Sequence, residues 1–346
     1  MTSQRRYSAY KRQTGMTLIE LLVAMGLGLI VTVVAATALL IAQQGYSTVD
    51  ATTQLRDRER FAVDLLTRVI VQAGYQDLGA SNMVLRSAAS FSPGSDPEPD
   101  IYGWNNAVYA IPSSLTLSES TTIVDGNRPA SCPTTADDSA CKNGSDVLVI
   151  RYQGASKTPG SVVADNSIIN CAGQGETGLV TGDLNERALS MFHVTRAASG
   201  EPALSCTYYN HGNGTTKWVS TPIIDGVESF QVLYGTDGVT PNLAPNATAT
   251  QNTISERWLR ADQLTVAGNL VATRENWRRV RAVRVGLVMR APVGSAQDRK
   301  AATLQPLGTT YTSGADAGSS LAVAADGRLR LQTAITVQLR NDQTLR

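Results

Sequence analysis

One carboxylate, Glu20, stands at the threshold of the longest apolar run in the chain. No residue from Leu21 to Ala42 carries a charge. An ionised group inside such a run costs about 2.5–3.5 kcal/mol at mid-bilayer and less near the interface, so it requires a cationic partner and reads as functional. Four cysteines follow, Cys132, Cys141, Cys171 and Cys206. Their even number, beyond the apolar run, favours disulfides in an oxidising compartment over free thiols. Three connectivities exist, and pairing of sequence neighbours, Cys132 with Cys141 and Cys171 with Cys206, is preferred. Zinc is disfavoured, since no Cys-x-x-Cys occurs and only His193 and His211 remain as further ligands. Ser139-Ala-Cys-Lys142 has the spacing of a Ser-x-x-Lys nucleophile and base, but it overlaps the first cysteine loop and lacks companion motifs. There is no Gly-x-Ser-x-Gly elbow, Walker loop or His-Glu-x-x-His pair. His193, in Met191-Phe-His-Val194, reads as a packed strand residue. The Asn-x-Ser/Thr sequons at Asn143, Asn213 and Asn246 are expected by chance in a Ser/Thr-rich chain. No catalytic residue, metal or cofactor is therefore expected.

The elements that must place Glu20 are read from charge and hydropathy. The 346 residues are 42% apolar and 17% charged, with a formal net charge of +1. That near-neutrality divides unevenly. Residues 1–15 carry Arg5, Arg6, Lys11 and Arg12 and no acid, while 16–49 carry Glu20 alone. The remainder is net negative, which argues against a strongly basic nucleic-acid binder. Twenty-two uncharged residues make about 33 Å of helix, enough to span a bilayer once. The basic flank orients the span with residues 1–15 in the cytoplasm and the bulk outside. A cleaved signal peptide, with Ala36-Thr-Ala38 as its site, fits less well because its apolar core should be shorter.

Thr14-Gly-Met-Thr-Leu-Ile-Glu-Leu21, behind a short basic leader and ahead of the apolar helix, resembles the processing motif of type IV prepilins. The resemblance implies that a prepilin peptidase cuts between Gly15 and Met16 and methylates the new amine of Met16. It also implies that Glu20 pairs with the N-terminal ammonium of a neighbouring subunit. Met16 replaces the more usual Phe, and a flexible thioether is a conservative exchange there. Glycine before the cut lets an extended backbone approach an enzyme without a side-chain clash.

Beyond Gln43-Gln-Gly45, Leu55, Ala62, Leu65, Leu66, Val69, Ile70 and Ala73 recur at helical spacing, with Gly74 and Gly79 as stops. Short apolar runs at 107–111, 147–152, 161–169, 189–195, 203–209, 230–234, 280–289 and 332–339 read as strands. Turns are expected at Gly160, Gly200, Gly212-Asn-Gly214, Gly235 and Asp326-Gly327. The expected fold class is α+β: a long pilin-like helix, its first half transmembrane, packed on a mainly antiparallel sheet. The expected parts are a leader at 1–15, an assembly helix at 16–45, an amphipathic continuation at 46–79 and an exported domain at 80–346.

Asp146-Val-Leu-Val-Ile-Arg-Tyr-Gln-Gly154, Ile224-Asp-Gly-Val-Glu-Ser-Phe-Gln-Val-Leu-Tyr-Gly235 and Trp277-Arg-Arg-Val-Arg-Ala-Val-Arg-Val-Gly-Leu-Val-Met-Arg290 resemble, in order, segments of PilW-type minor pilins. That resemblance implies a non-enzymatic subunit that primes type IV pilus assembly or sits at the pilus tip. Its implied partners are the major pilin, other minor pilins and a PilY-type adhesin. Its implied location is the inner membrane, then the fibre. The alternatives are a type II secretion pseudopilin and a DNA-binding competence pilin. The latter would use Arg274, Arg278, Arg279, Arg281, Arg284 and Arg290. The favoured reading of that stretch is a strand with Val283, Val285, Leu287 and Met289 inward and the arginines solvated. The loop at 236–242 holds one acidic residue, too few for a calcium cage.

Overall fold

The computed structural model describes residues 15–76, 99–108, 131–134, 141–158, 160–161, 163–178, 187–210, 218–246 and 251–341. The chain divides into two compact units, residues 1–50 and 51–346. In the first, the described chain passes from Gly15–Thr17, outside any regular element, into helix α1, which spans Leu18–Val71. Leu, Val, Ile, Met and Ala dominate this part, and its large apolar side chains are exposed. It is long and apolar enough to cross a membrane. The few hydroxyls within it are satisfied internally: Thr32 donates to the Leu29 carbonyl and Thr37 to that of Val34. Such back-bonding removes the cost of a bare hydroxyl among apolar neighbours.

In the second unit, the last turns of α1 change character. Ala51, Leu55, Ala62, Leu65, Leu66, Val69 and Ile70 are buried on one stripe. The helix stops where Gly74 takes a left-handed φ of 70° and donates its N–H to the Arg151 carbonyl at 2.9 Å. A glycine supplies that conformation at least cost. The turn is held by Gln72, whose amide exchanges two hydrogen bonds with the Ile169 backbone, at 2.8 and 2.9 Å.

Two antiparallel sheets complete this unit. One runs β1-β2-β3-β4-β5, from Ile101–Trp104, Val147–Tyr152, Ala188–Arg196, Pro202–Tyr209 and Trp218–Asp225. The other follows the order β11-β8-β6-β7. Its strands are β6 (Val227–Thr236), β7 (Arg257–Leu259), β8 (Val280–Arg290) and β11 (Arg330–Gln338). A two-stranded ribbon pairs β9 (Ala302–Leu304) with β10 (Leu321–Val323). Helices α2 (Ala261–Leu264) and α3 (Leu270–Arg278) lie between β7 and β8. Strands β2 and β6 are buried throughout, and both carry polar side chains into the interior, Arg151 in β2 and Glu228, Ser229 and Gln231 in β6.

Edge strand β5 carries Pro222, which faces Ser205, and the register slips between Leu204 and Ser205. A proline cannot donate to the ladder, which confines it to an edge or an irregularity. Residues 161–169 do not form the expected strand. They contribute only isolated bridges, Ser156 to Ala164 and Ile169 to Gly175. Asp165 accepts from the backbone and side chain of Ser167, and Asn166 has φ 66°, so local turn bonding wins over the ladder. Gly235, expected in a turn, lies inside β6, where Ser255 and Trp258 approach too closely for a side chain. Ala107 makes a single bridge to Ser131, and 109–111 fall outside the described residues, as do Gly79 and the turn at 212–214. The structure thus has the α+β class, a long apolar N-terminal helix with antiparallel sheets.

Candidate functional site

Met16 and Thr17 precede the first helical residue, and both Gly15 and Met16 are exposed. The Thr17 carbonyl accepts from the N–H groups of Glu20 and Leu21, at 3.1 and 3.2 Å. The Thr17 hydroxyl accepts from the Glu20 N–H, and the Glu20 carboxylate accepts from the Thr17 N–H and hydroxyl, each at 3.4 Å. This reciprocal pairing is a capping box, in which two otherwise orphaned N–H groups at the helix start are satisfied. Glu20 therefore sits where the helix dipole favours an anion, one turn from the Gly15–Met16 bond. Thr17 is the first member of a Thr-x-x-Glu pattern, a local signal for such a cap.

The cysteines are joined Cys132 to Cys141 and Cys171 to Cys206, with Cα–Cα distances of 5.9 and 5.7 Å. The second bond ties the 166–173 turn to β4, and the Cys171 N–H donates to the Ser190 hydroxyl at 3.0 Å. Ser139 and His211 lie outside the described residues. His193 is buried in β3, with Nε2 3.0 Å from the Thr207 hydroxyl and 3.4 Å from that of Ser220. Burial pushes its pKa down to about 3, so it stays neutral at ordinary pH and acts as a polar core residue. An open groove of about 670 Å³ runs beside α1, lined among others by Phe61, Leu65, Arg68, Cys171 and Pro222, and contains no nucleophile–base pair. Asn143 is occupied structurally, its amide donating to the Glu228 carbonyl at 2.9 Å.

The arginine-rich stretch is not a solvated face. Val283, Val285, Leu287 and Met289 point inward and are fully buried, but Arg274, Arg278 and Arg279 are buried as well. Arg284 stacks on the Tyr311 ring, 4.9 Å from its centre. Arg281 lies 3.8 Å from the Asp237 carboxylate and donates to Gln251. Arg290 bridges Glu201 and Glu228 at 2.9 and 2.8 Å. Arg328 joins Glu201, and Arg330 joins Glu228 and Asp326. Guanidinium groups so committed leave little free charge for a phosphate backbone.

In this network burial works to raise the Glu201 pKa, and hydrogen bonds from Arg328 and Arg290 overcome it, leaving the carboxyl below its usual value. The Arg330 hydrogen bond does the same for Asp326. A depressed folded-state pKa stabilises the fold above the ordinary carboxylate value, and the benefit is lost as pH falls through the folded one. Arg330→Gln is therefore expected to lower Tm at pH 7. The gap to wild type should narrow below about pH 4. Thermal unfolding of both proteins across pH checks this.

A family model for the type IV pilus-assembly protein W matches residues 191–341, from β3 through β11. A second, for the prokaryotic N-terminal methylation motif, matches residues 10–36 and so contains Gly15, Met16 and Glu20. The chain thus carries a PilW-type domain behind the N-terminal motif of type IV pilins. The first model contains the Ile224–Gly235 and Trp277–Arg290 segments, whereas Asp146–Gly154 precedes it. Among solved structures, a type IV-like pilin from Thermus thermophilus is similar at 15% identity and a TM-score of 0.37. That match covers 84% of this chain and 97% of the Thermus protein. No curated protein matches the chain. The methylation motif implies processing by a prepilin peptidase and assembly with other pilins, and the long apolar N-terminal helix fits a membrane-anchored protein.

Proposed function

We propose that this minor pilin waits in the inner membrane with its sheet domain in the periplasm. There a prepilin peptidase cuts it after Gly15 and methylates Met16. It then joins other minor pilins and the major pilin to prime a type IV pilus or occupy its tip, with a PilY-type adhesin as a further partner. The observation that carries this reading is the apolar surface of α1 from Leu18 to Ile41, bearing a single acid, Glu20, in its first turn. A helix of that kind is covered by lipid before assembly and by neighbouring helices afterwards. Cleavage places a new ammonium one turn from each subunit's own Glu20. A staggered neighbour can then offer its ammonium to the carboxylate, pairing two charges that are costly to bury singly. Two disulfides support folding in an oxidising compartment.

Mass spectrometry of the protein from its native host is the direct test. A mature chain starting at N-methylated Met16 is expected, and Gly15→Leu should retain the leader. An intact leader on the wild-type protein removes the reading.

A further inference from the structure

Strands β1, β5, β7 and β11 form the outer edges of the two larger sheets. Three of these edges are blunted. Strand β1 has four residues and β7 three, and β5 carries Pro222 beside a slipped register. Short strands, prolines and bulges are devices that keep a sheet edge from pairing with another chain. Strand β11 has none of them. Its nine residues, Arg330–Gln338, run against β8 without a shift, and no residue from Leu331 to Leu339 is charged.

The register fixes what this edge offers. The Ala291 N–H donates to the Leu329 carbonyl and the Leu339 N–H to the Arg281 carbonyl. Odd-numbered residues between them therefore exchange hydrogen bonds with β8. The backbone N–H and C=O groups of Gln332, Ala334, Thr336 and Gln338 point the other way, and they meet no partner among the described residues. These four residues are exposed. Leu331 and Ile335, on the opposite face of the strand, are only partly buried against the core.

Antiparallel pairing of the strand with a copy of itself meets no conflict. With a twofold axis at Ala334, the midpoint of the strand, Gln332 faces Thr336 and Arg330 faces Gln338 on one side of the sheet. On the other side Leu331 faces Val337 and the β-branched Thr333 faces Ile335. Polar residues meet polar ones, apolar or β-branched residues meet their like, and no like charges oppose one another. Arg330 is already neutralised within its own chain by Glu228 and Asp326. An axis at Ile335 would instead set Arg330 against Arg340.

We propose that two copies of this chain associate by antiparallel pairing of their β11 strands, joining two four-stranded sheets into one of eight. The new ladder satisfies the outward backbone groups of both strands, and each strand covers the half-exposed Leu331 and Ile335 of the other. The contact uses no residue of α1.

Sedimentation of the full-length protein in detergent tests this pairing. A concentration-dependent dimer is expected below about 0.2 mM. Ala334→Pro removes an N–H that the β8 ladder does not use, so it should keep the fold and abolish the dimer. Where Ala334→Pro does not fold, Ala334→Lys and Ala334→Glu replace it. Each alone should be monomeric, because like charges meet at the axis, and an equimolar mixture should pair again. Cysteine reads the register. Ala334→Cys should cross-link to its copy on oxidation, with Cα atoms about 5.5 Å apart. Gln338→Cys, offset from its copy by about 27 Å along the strands, should not. Wild-type protein that stays monomeric to about 0.2 mM overturns the proposal. So does a dimer that survives Ala334→Pro, or survives Ala334→Lys and Ala334→Glu alike, since its contact then lies elsewhere. Equal cross-linking at positions 334 and 338 overturns it as well.

Discussion

Glu20→Ala is expected to leave a stable, processed protein in the membrane while cutting its recovery in sheared pili by tenfold or more. Removing one member of a buried ion pair costs about 3–5 kcal/mol, because the partner stays buried and charged. At about 1.4 kcal/mol per decade that exceeds a hundredfold in association, and screening near the bilayer surface reduces it. The local cost is far smaller. Glu20 also closes the capping box with Thr17, but those bonds are 3.4 Å long and lie at the exposed end of a 54-residue helix. Loss of such a cap is worth about 1 kcal/mol and does not unfold the helix. Thr17→Ala separates the two roles, since it breaks the cap and keeps the carboxylate. Immunoblots of membrane and sheared-pilus fractions read both variants. Equal loss in Thr17→Ala and Glu20→Ala would point to capping, and unchanged pilus content in Glu20→Ala would remove the ion pair.

Trp277→Ala is expected to be the most damaging single change in the domain. The indole is 2% exposed and meets the Tyr234 ring edge-on, 4.6 Å between centres at 82°. Tyr234 in turn lies against Gly103 of β1, so the pair locks α3 to both sheets. Truncating a buried Trp costs about 3–5 kcal/mol through lost transfer energy and the cavity left behind. For a domain of this size that is on the order of 10 °C in Tm. Trp218, half-buried in edge strand β5 against Tyr209, serves as the comparison and should cost much less. Thermal unfolding of the two variants in detergent distinguishes them.

The sequence carried the α+β class because its strongest strands are uninterrupted β-branched and aromatic runs. Val147–Tyr152 emerges with the bounds its composition suggests, and 280–289 becomes Val280–Arg290. Weak signals failed for identifiable reasons. Strand β5 is an edge broken by Pro222, and its exposed residues follow no clear alternation. The apolar letters of 161–169 were overruled by the Asp165–Ser167 turn. Helix α3 carries three charged residues in nine, and its start is marked mainly by Asn269 accepting from the Ala272 N–H. Arg290 looked like part of a solvated face because its acidic partners are distant in sequence, Glu201 by 89 positions and Glu228 by 62.

What the sequence determined most completely lies within one short window. Cleavage motif, capping box, Glu20 and apolar helix occupy contiguous residues, and local hydropathy and helix geometry govern them without reference to the rest of the chain. Only the tertiary structure decided that Asp316 stands by Asn106, 210 positions away, and that Arg330 meets Glu228 across 102. Sheet order sets those meetings, and sheet order depends on which buried faces pack together rather than on any local pattern.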